Sequence, residues 1–350
     1  MITAKHLTKV YGNFKAVDDL SFTIEEGHIY GFLGPNGAGK STTLNIITGC
    51  LAPTGGEVSI DNLDIYENSK EAKKRIGYLP EIPPLYIDQT PREYLEFVAD
   101  AKKVARKERK DEVERVAAET HIESVLDKPI KYLSKGYKQR VGISQALIGD
   151  PQIVILDEPT VGLDPMQILE IRELINELGK KHTVILSSHI LSEVQAICDK
   201  VLIIYKGKMV AFDAPENLGK TLSSGACLEI ACECDSKMAM EVLGELEGIT
   251  KIEEIVNPNE TDKTTRYNLH TDNAKIQSVT KAVFKAFASR EITLYELHQV
   301  KTTLEDIFIE LTKEDGALGM NTADNTVLNE YMSDGEDMTT EEVRSNDSCA

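Results

Sequence analysis

The chain has 350 residues, room for about two or three domains, and its 41% hydrophobic and 28% charged residues suit a globular protein with a core of its own. A formal charge of −19 argues against a uniformly basic face, so no nucleic-acid partner is expected. No apolar run approaches the ~18 residues of a bilayer span, Val201–Tyr205 being among the densest, and the start Met1-Ile2-Thr3-Ala4-Lys5 lacks the apolar core of a secretion signal. The six cysteines, at 50, 198, 227, 232, 234 and 349, are too sparse for a disulfide scaffold; they suit reduced thiols in a cytoplasm.

Taken in chain order, residues 1–30 read as short strands with turns, Phe22 and Ile24 alternating with polar neighbours before Gly27. Ile29-Tyr30-Gly31-Phe32-Leu33 is a compact apolar strand, followed by a glycine-rich loop and a helix over Ser41–Thr48 that Gly49 stops. Residues 90–120 read as helical: Thr90 is the N-cap, Pro91 takes the first helical position and Glu93 completes a capping box. Ile153–Leu156 and Thr183–Leu186 are continuous apolar runs, which suit strands buried on both faces of a parallel sheet, with Pro165–Gly179 as the helix between them. Lys206-Gly207 joins Val201–Tyr205 to Met209–Phe212 as a hairpin.

Composition shifts after residue 213, where Asp213-Ala214-Pro215 and Ser223-Ser224-Gly225 mark a connection. Strand 227–234, helix 236–246, strand 249–256, strand 264–270, helix 274–289 and strand 291–297 follow, the β-α-β-β-α-β order of a ferredoxin-like α+β domain, and a helix over 303–312 closes it. Cys232 and Cys234 alternate with Leu228 and Ile230 on one strand face and read as core rather than as a metal pair. Residues 313–350 hold ten acidic side chains against Lys313 and Arg344 and lack apolar periodicity, so this tail is expected to be disordered.

Two segments carry chemistry. Gly34-Pro35-Asn36-Gly37-Ala38-Gly39-Lys40-Ser41, followed by Thr42, fits G-x-x-x-x-G-K-[ST] between a strand and a helix. Its glycines let successive N–H groups face one anion, the helix adds the positive end of its dipole, Lys40 supplies a point charge for β- and γ-phosphates, and Ser41 offers a hydroxyl to Mg2+. Asp157-Glu158 ends an apolar strand, where unpaired carboxylates are poor core material. Beside a phosphate loop, Asp157 suits Mg2+ and Glu158 suits a general base for an attacking water. Gly34, Asp157 and His189 each follow an apparent parallel strand directly, which gathers them at one sheet edge.

Leu133-Ser134-Lys135-Gly136-Tyr137, 23 residues before Asp157 counted from Ser134, resembles the Leu-Ser-Gly-Gly-Gln signature of ATP-binding cassette (ABC) ATPases, with Lys135 and Tyr137 as departures. The resemblance covers residues 1 to about 215 with the family's motifs in order. It implies that Ser134 and Gly136 face a γ-phosphate, that Tyr11 stacks on adenine, that Gly162-Leu163-Asp164-Pro165 is the D-loop, and that His189 is the switch histidine, 31 residues after Glu158. Asp164 also suits an N-cap. At the Q-loop position the family's Gln is replaced by Glu81, a carboxylate that would ligate Mg2+ while adding charge near phosphates. The Pro-rich segment Ile82–Ile87 lies where the family meets its membrane partner.

The implied fold is α/β: a P-loop NTPase (RecA-like) core with an antiparallel β subdomain and a helical signature subdomain at about 85–150, making an ATPase domain over 1–215, then an accessory domain over 216–312 and a tail over 313–350. The segment Thr303–Leu311 resembles the closing helix of ATPase subunits of drug-export transporters. The implied activity is hydrolysis of ATP with Mg2+, with Lys40, Glu158 and His189 catalytic. Two chains, as a homodimer or a heterodimer, would clamp ATP and drive a separately encoded transmembrane permease from the inner face of the membrane. The alternative is an ABC ATPase with a regulatory or structural role.

Overall fold

A computed structural model describes residues 1–222, 226–255 and 264–300 of the chain. The first part runs β1 (Ile2–Tyr11), β2 (Phe14–Ile24), β3 (Ile29–Leu33), α1 (Lys40–Ile47), β4 (Gly55–Ile60), β5 (Leu63–Asp64), α2 (Ser69–Lys74), β6 (Ile76–Leu79), α3 (Pro91–Ala101), α4 (Arg109–Thr120), α5 (Lys135–Leu147), β7 (Ile153–Leu156), α6 (Pro165–Gly179), β8 (Thr183–Ser188), α7 (Leu191–Ile197), β9 (Lys200–Tyr205) and β10 (Lys208–Asp213).

Two sheets result. An antiparallel sheet has the order β2-β1-β4-β5, and a six-stranded sheet has the order β10-β9-β3-β8-β7-β6. In the second sheet β9, β3, β8, β7 and β6 are parallel and β10 is an antiparallel edge. Every residue of β3, β7 and β8 is buried, which is why their sequences show apolar runs instead of alternation. Register aligns Leu79 with Leu156, Leu156 with Leu186, and Leu33 with Ser188, so the strands end together at one edge. Between the sheets, Ile2, Leu7, Leu20 and Ile24 pack with Tyr30, Phe32, Ile155, Ile185 and Leu202, and with Leu44 and Ile47 of α1. Full burial of each such side chain is worth about 1.5–3 kcal/mol.

The opening strands are longer than the short ones read from the sequence. Register shifts between Ala4 and Leu7, and between Leu7 and Lys9, accompany left-handed backbone at His6 (φ 51) and Asp19 (φ 58). These bulges break the alternation that marks a long strand. The helical residues 90–120 form two helices, parted where Lys103 turns left-handed (φ 65). The capping box on α3 is present: Thr90 N donates to Glu93 Oε2 at 2.8 Å and Glu93 N donates to Thr90 Oγ1 at 3.3 Å. The hairpin at Lys206-Gly207 has positive φ at both residues (48 and 75), the geometry of a two-residue type I′ turn.

The helix α5 is held at both its flank and its end. Gly77 of β6 admits it, since a Cβ there would lie 2.1 Å from the Ala146 carbonyl oxygen. Lys102 Nζ donates to the carbonyls of Gln145, Ala146 and Ile148 at 3.2, 3.1 and 2.7 Å, and Arg115 Nη2 donates to Leu147 O at 3.0 Å. Cations at a helix C-terminus satisfy its last carbonyls and match its dipole.

After α8 (Pro215–Leu222) come β11 (Ala226–Glu233), α9 (Ser236–Gly244), β12 (Ile249–Ile255), β13 (Thr264–Thr271), α10 (Ile276–Ser289) and β14 (Leu294–Val300). They make an antiparallel sheet of order β12-β13-β11-β14. Leu228, Ile230 and Cys232 of β11 bury one sheet face against Ala239, Val242 and Leu243 of α9 and Val279, Val283 and Phe287 of α10. Cys232 is core and Cys234 packs against it, with the sulfurs 3.6 Å apart. The last strand starts later than the sequence suggests, because Glu291 adopts left-handed backbone (φ 55) before it. The helix read over 303–312 and the acidic tail lie outside the described residues.

Candidate active site

The phosphate loop leaves β3 and enters α1. Gly37 (φ 80) and Gly39 (φ 105) take backbone conformations that L side chains avoid, and a Cβ on Gly39 would meet the Ala16 carbonyl oxygen at 2.3 Å. The hairpin between β9 and β10 props the loop from behind, through Gly207 N donating to Ala38 O at 2.9 Å. Lys40 is buried, and its ammonium donates to Gly34 O at 2.8 Å and Pro35 O at 3.3 Å.

Two further strands bring the acids to the same point. Asp157 follows β7, and its N–H donates to Leu79 O of β6 at 2.9 Å. Its Oδ1 accepts hydrogen bonds from Ser187 Oγ at 2.5 Å and Ser41 Oγ at 3.1 Å. Burial pushes the Asp157 carboxyl above its ordinary range, against the lowering effect of these two hydroxyls; Glu158 also raises it, while Lys40 lowers it. Glu158 sits in left-handed backbone (φ 46), held there by its N–H donating to Ser187 Oγ at 2.8 Å. Its two oxygens are divided: Oε1 lies 3.4 Å from Lys40 Nζ and Oε2 lies 2.9 Å from His189 Nδ1. Against an ionised carboxylate the Nδ1 of the imidazole is the donor.

The structure thus joins Lys40, Ser41, Asp157, Glu158 and His189 in one cluster. The other residues singled out lie on separate elements. Ser134 is the N-cap of α5, its Oγ accepting from Tyr137 N at 3.3 Å, and it is exposed. Gly136 is buried, and a Cβ on it would come 3.0 Å from the Gln167 side chain. Asp164 caps α6, its Oδ1 accepting from Gln167 N at 3.0 Å, so Gln167 links the starts of α5 and α6. Tyr11 ends β1, exposed, with Lys9 Nζ 5.2 Å from its ring centroid. Glu81 is exposed two residues beyond β6, past the strand end that neighbours Asp157.

Four side chains escaped the sequence reading. Ser187 ties Asp157 to the Glu158 backbone. Behind it, Glu193 Oε2 accepts hydrogen bonds from Thr160 Oγ1 at 2.7 Å and Ser188 Oγ at 3.0 Å. The available signal was the pair Ser187-Ser188 ending an apolar strand, since buried hydroxyls need partners.

A family model described as "ABC transporter" matches residues 17–161. The bacitracin transport ATP-binding protein BcrA of Bacillus licheniformis is 42% identical over 212 residues, 60% of this chain and 68% of that one. The uncharacterized ABC transporter ATP-binding protein YhcH of Bacillus subtilis is 34% identical over 319 residues, 90% of this chain and 96% of its own length. Among solved structures, an ATP-binding subunit of an ABC transporter superimposes with a TM-score of 0.57 at 31% identity, covering 63% of this chain and 92% of that one. A dimeric ATP-binding cassette in a post-hydrolysis state, bound to ADP and Pi, gives 0.56 at 28% identity, covering 61% and 98%.

Proposed function

Because the chain belongs to the ABC transporter ATP-binding proteins and has their P-loop ATPase fold of mixed α/β sheets, we propose that it binds ATP and hydrolyses it to power a transporter. The observation that carries this is the meeting of Lys40, Glu158 and His189 at the shared ends of β3, β7 and β8, with Glu158 3.4 Å from the lysine and 2.9 Å from the histidine. The loop Gly34–Thr42, including Pro35, Asn36, Gly37, Ala38 and Gly39, cradles the phosphates, and Lys40 offsets their charge. Glu158 takes a proton from the attacking water, and His189 holds that carboxylate in place. Tyr11 is exposed and available to stack on the base.

The donor set fits Mg2+: Ser41 Oγ and Asp157 Oδ1 lie 3.1 Å apart, both hard oxygens, and the buried Asp157 carboxylate favours a nearby cation. The ion supplies neutralisation of phosphate charge when bound. Glu81, at the same sheet edge, adds a carboxylate where the family carries an amide.

Ser134 is exposed at the start of α5, and in our reading it meets the nucleotide of a second copy together with Gly136, so the working form is a dimer, homomeric or heteromeric, with Asp164 at the contact. The dimeric cassette with ADP and Pi among its structural relatives supports this. Ile82, Tyr86, Ile87 and Phe97 are exposed beside one another along the chain and on α3, a patch suited to a separately encoded permease. The bacitracin transport relative supports a transport role; export, with the chain at the inner face of the membrane, is the reading we adopt. No helix among the described residues is long and apolar enough to cross a membrane. We assign residues 1–215 to the ATPase domain, with its helical subdomain at about 85–150, 216–312 to an accessory domain and 313–350 to a tail. The sheet order β12-β13-β11-β14 supports a ferredoxin-like accessory fold.

The test is ATP turnover by the full chain and by Glu158→Gln. Loss of turnover with retained ATP binding, and a dimer in gel filtration with ATP, are expected. A variant that hydrolyses ATP at the parental rate removes Glu158 as the base, and one that stays monomeric removes the dimer.

A further inference from the structure

Glu193 is a buried acid. It lies in the first turn of α7 and is 4% exposed. Burying a carboxylate is costly unless donors satisfy it. One oxygen, Oε2, takes two donors, and they come from two different loops: Thr160 Oγ1 at 2.7 Å and Ser188 Oγ at 3.0 Å.

Each donor belongs to a segment of the site. Thr160 stands two residues after Glu158, and its carbonyl accepts from Leu163 N at 3.2 Å, so it begins the turn that leads to Asp164. Ser188 directly precedes His189. While its hydroxyl proton goes to Glu193, its oxygen accepts from Ile190 N at 3.0 Å. The backbone on both sides of the histidine is therefore fixed by one hydroxyl, and that hydroxyl is aimed by Glu193. The front of the cluster is joined by Ser187, which bonds both Asp157 Oδ1 and Glu158 N. Behind it, Glu193 joins Thr160 to Ser188.

The geometry points to Glu193 as a positioning residue for hydrolysis: its buried carboxylate locks the loop of Glu158 to the loop of His189, and the 2.9 Å contact between base and histidine depends on that lock. The inference rests on the ATPase reading above and adds to it a residue that acts through Thr160 and Ser188. Because the Thr160 turn ends at Asp164, the same carboxylate passes a displacement of the 160–164 segment to His189.

The experiment is a double-mutant cycle on the full chain, measuring kcat and KM for ATP in the parent, Glu193→Ala, His189→Ala and the double variant. Misplacing a catalytic group by about 1 Å costs up to about a hundredfold, so Glu193→Ala is expected to lower kcat roughly tenfold to a hundredfold. KM should stay within about threefold, because the phosphate loop is untouched. In the His189→Ala background the same substitution should cost less than about twofold, since the residue acts through the histidine. Glu193→Gln keeps an oxygen that accepts both hydroxyls and should recover most of the loss. Equal losses in both backgrounds, or an unchanged kcat in Glu193→Ala, overturn the proposal. Should Glu193→Ala not fold, Ser188→Ala runs through the same cycle with the same criterion. A parent chain with no ATP turnover at all would instead sink the ATPase reading, a result distinct from either.

Discussion

Gly77 lies directly beneath the carbonyl of Ala146, close enough that a Cβ on the glycine would sit 2.1 Å from that oxygen. The signature-bearing helix α5 therefore rests on β6 by backbone contact, and no rotamer change relieves a side chain placed between them. Gly77→Ala should cost about 1–3 kcal/mol or more through overpacking. Urea unfolding of the two proteins measures it; equal midpoints would mean that α5 moves aside at no cost.

Ser187 is fully buried, and its hydroxyl serves both acids. Ser187→Ala leaves the Glu158 N–H without its partner, a loss of about 1–3 kcal/mol for a buried donor. It also frees the strained φ of Glu158, so kcat should fall at least about tenfold while ATP affinity holds. Turnover and nucleotide titration together decide this, and parental turnover would show that the φ of 46 is held by the strand alone.

Lys102 gives the α5 latch a pH dependence. Burial pulls its ammonium down from 10.5 to about 8; Glu112 opposes this and Arg115 adds to it. Between these two values the unfolded chain holds more protons than the folded one, so the contribution of this group to stability rises with pH. It is complete above about 10.5 and is lost as pH falls through about 8. Lys102 is an exposed residue whose tip reaches the carbonyls, so solvent screening keeps the effect well below the full ~1.36 kcal/mol per unit. Lys102→Met removes the group, so the stability of the parent relative to the variant should climb from pH 8 to pH 10 in denaturant titrations. A flat difference would place the ammonium in water.

Glu81 offers a test of the metal assignment. If its carboxylate reaches the ion, Glu81→Gln weakens a hard-oxygen ligand. The Mg2+ concentration for half-maximal ATPase activity should then rise about two- to tenfold, with kcat at saturating Mg2+ within about threefold of the parent. EDTA should abolish turnover in both proteins. An unchanged Mg2+ dependence would put Glu81 outside the coordination sphere.

What the sequence revealed and what it hid divide along physical lines. Wholly apolar strands such as Ile153–Leu156 are legible because burial on both faces leaves no other composition. The capping box at Thr90 and Glu93 and the Lys206-Gly207 turn are local, with donor, acceptor and backbone angle all set within a few residues. The two long opening strands were obscured, since bulges near His6 and Asp19 reset the alternation. The break between α3 and α4 was hidden because Lys103 adopts φ 65 with no glycine or proline to announce it. The cluster Lys40, Asp157, Glu158 and His189 could be assembled from motif order alone. Ser187 and Glu193 could not, because the bonds of Ser187 to the two acids and of Glu193 to Thr160 span 29 to 33 residues that only the folded sheet brings together.

The Gly207 bond to Ala38 has a mechanical corollary. Asp18 N also donates to Gly207 O at 2.8 Å, so one turn is stitched on one side to the glycine-rich cradle and on the other to the β2 strand. The strand leaving that turn, β10, is the very one that exits toward α8 and β11. A shift of the cradle therefore has a short route out of the ATPase half of the chain: one backbone hydrogen bond and six residues of strand.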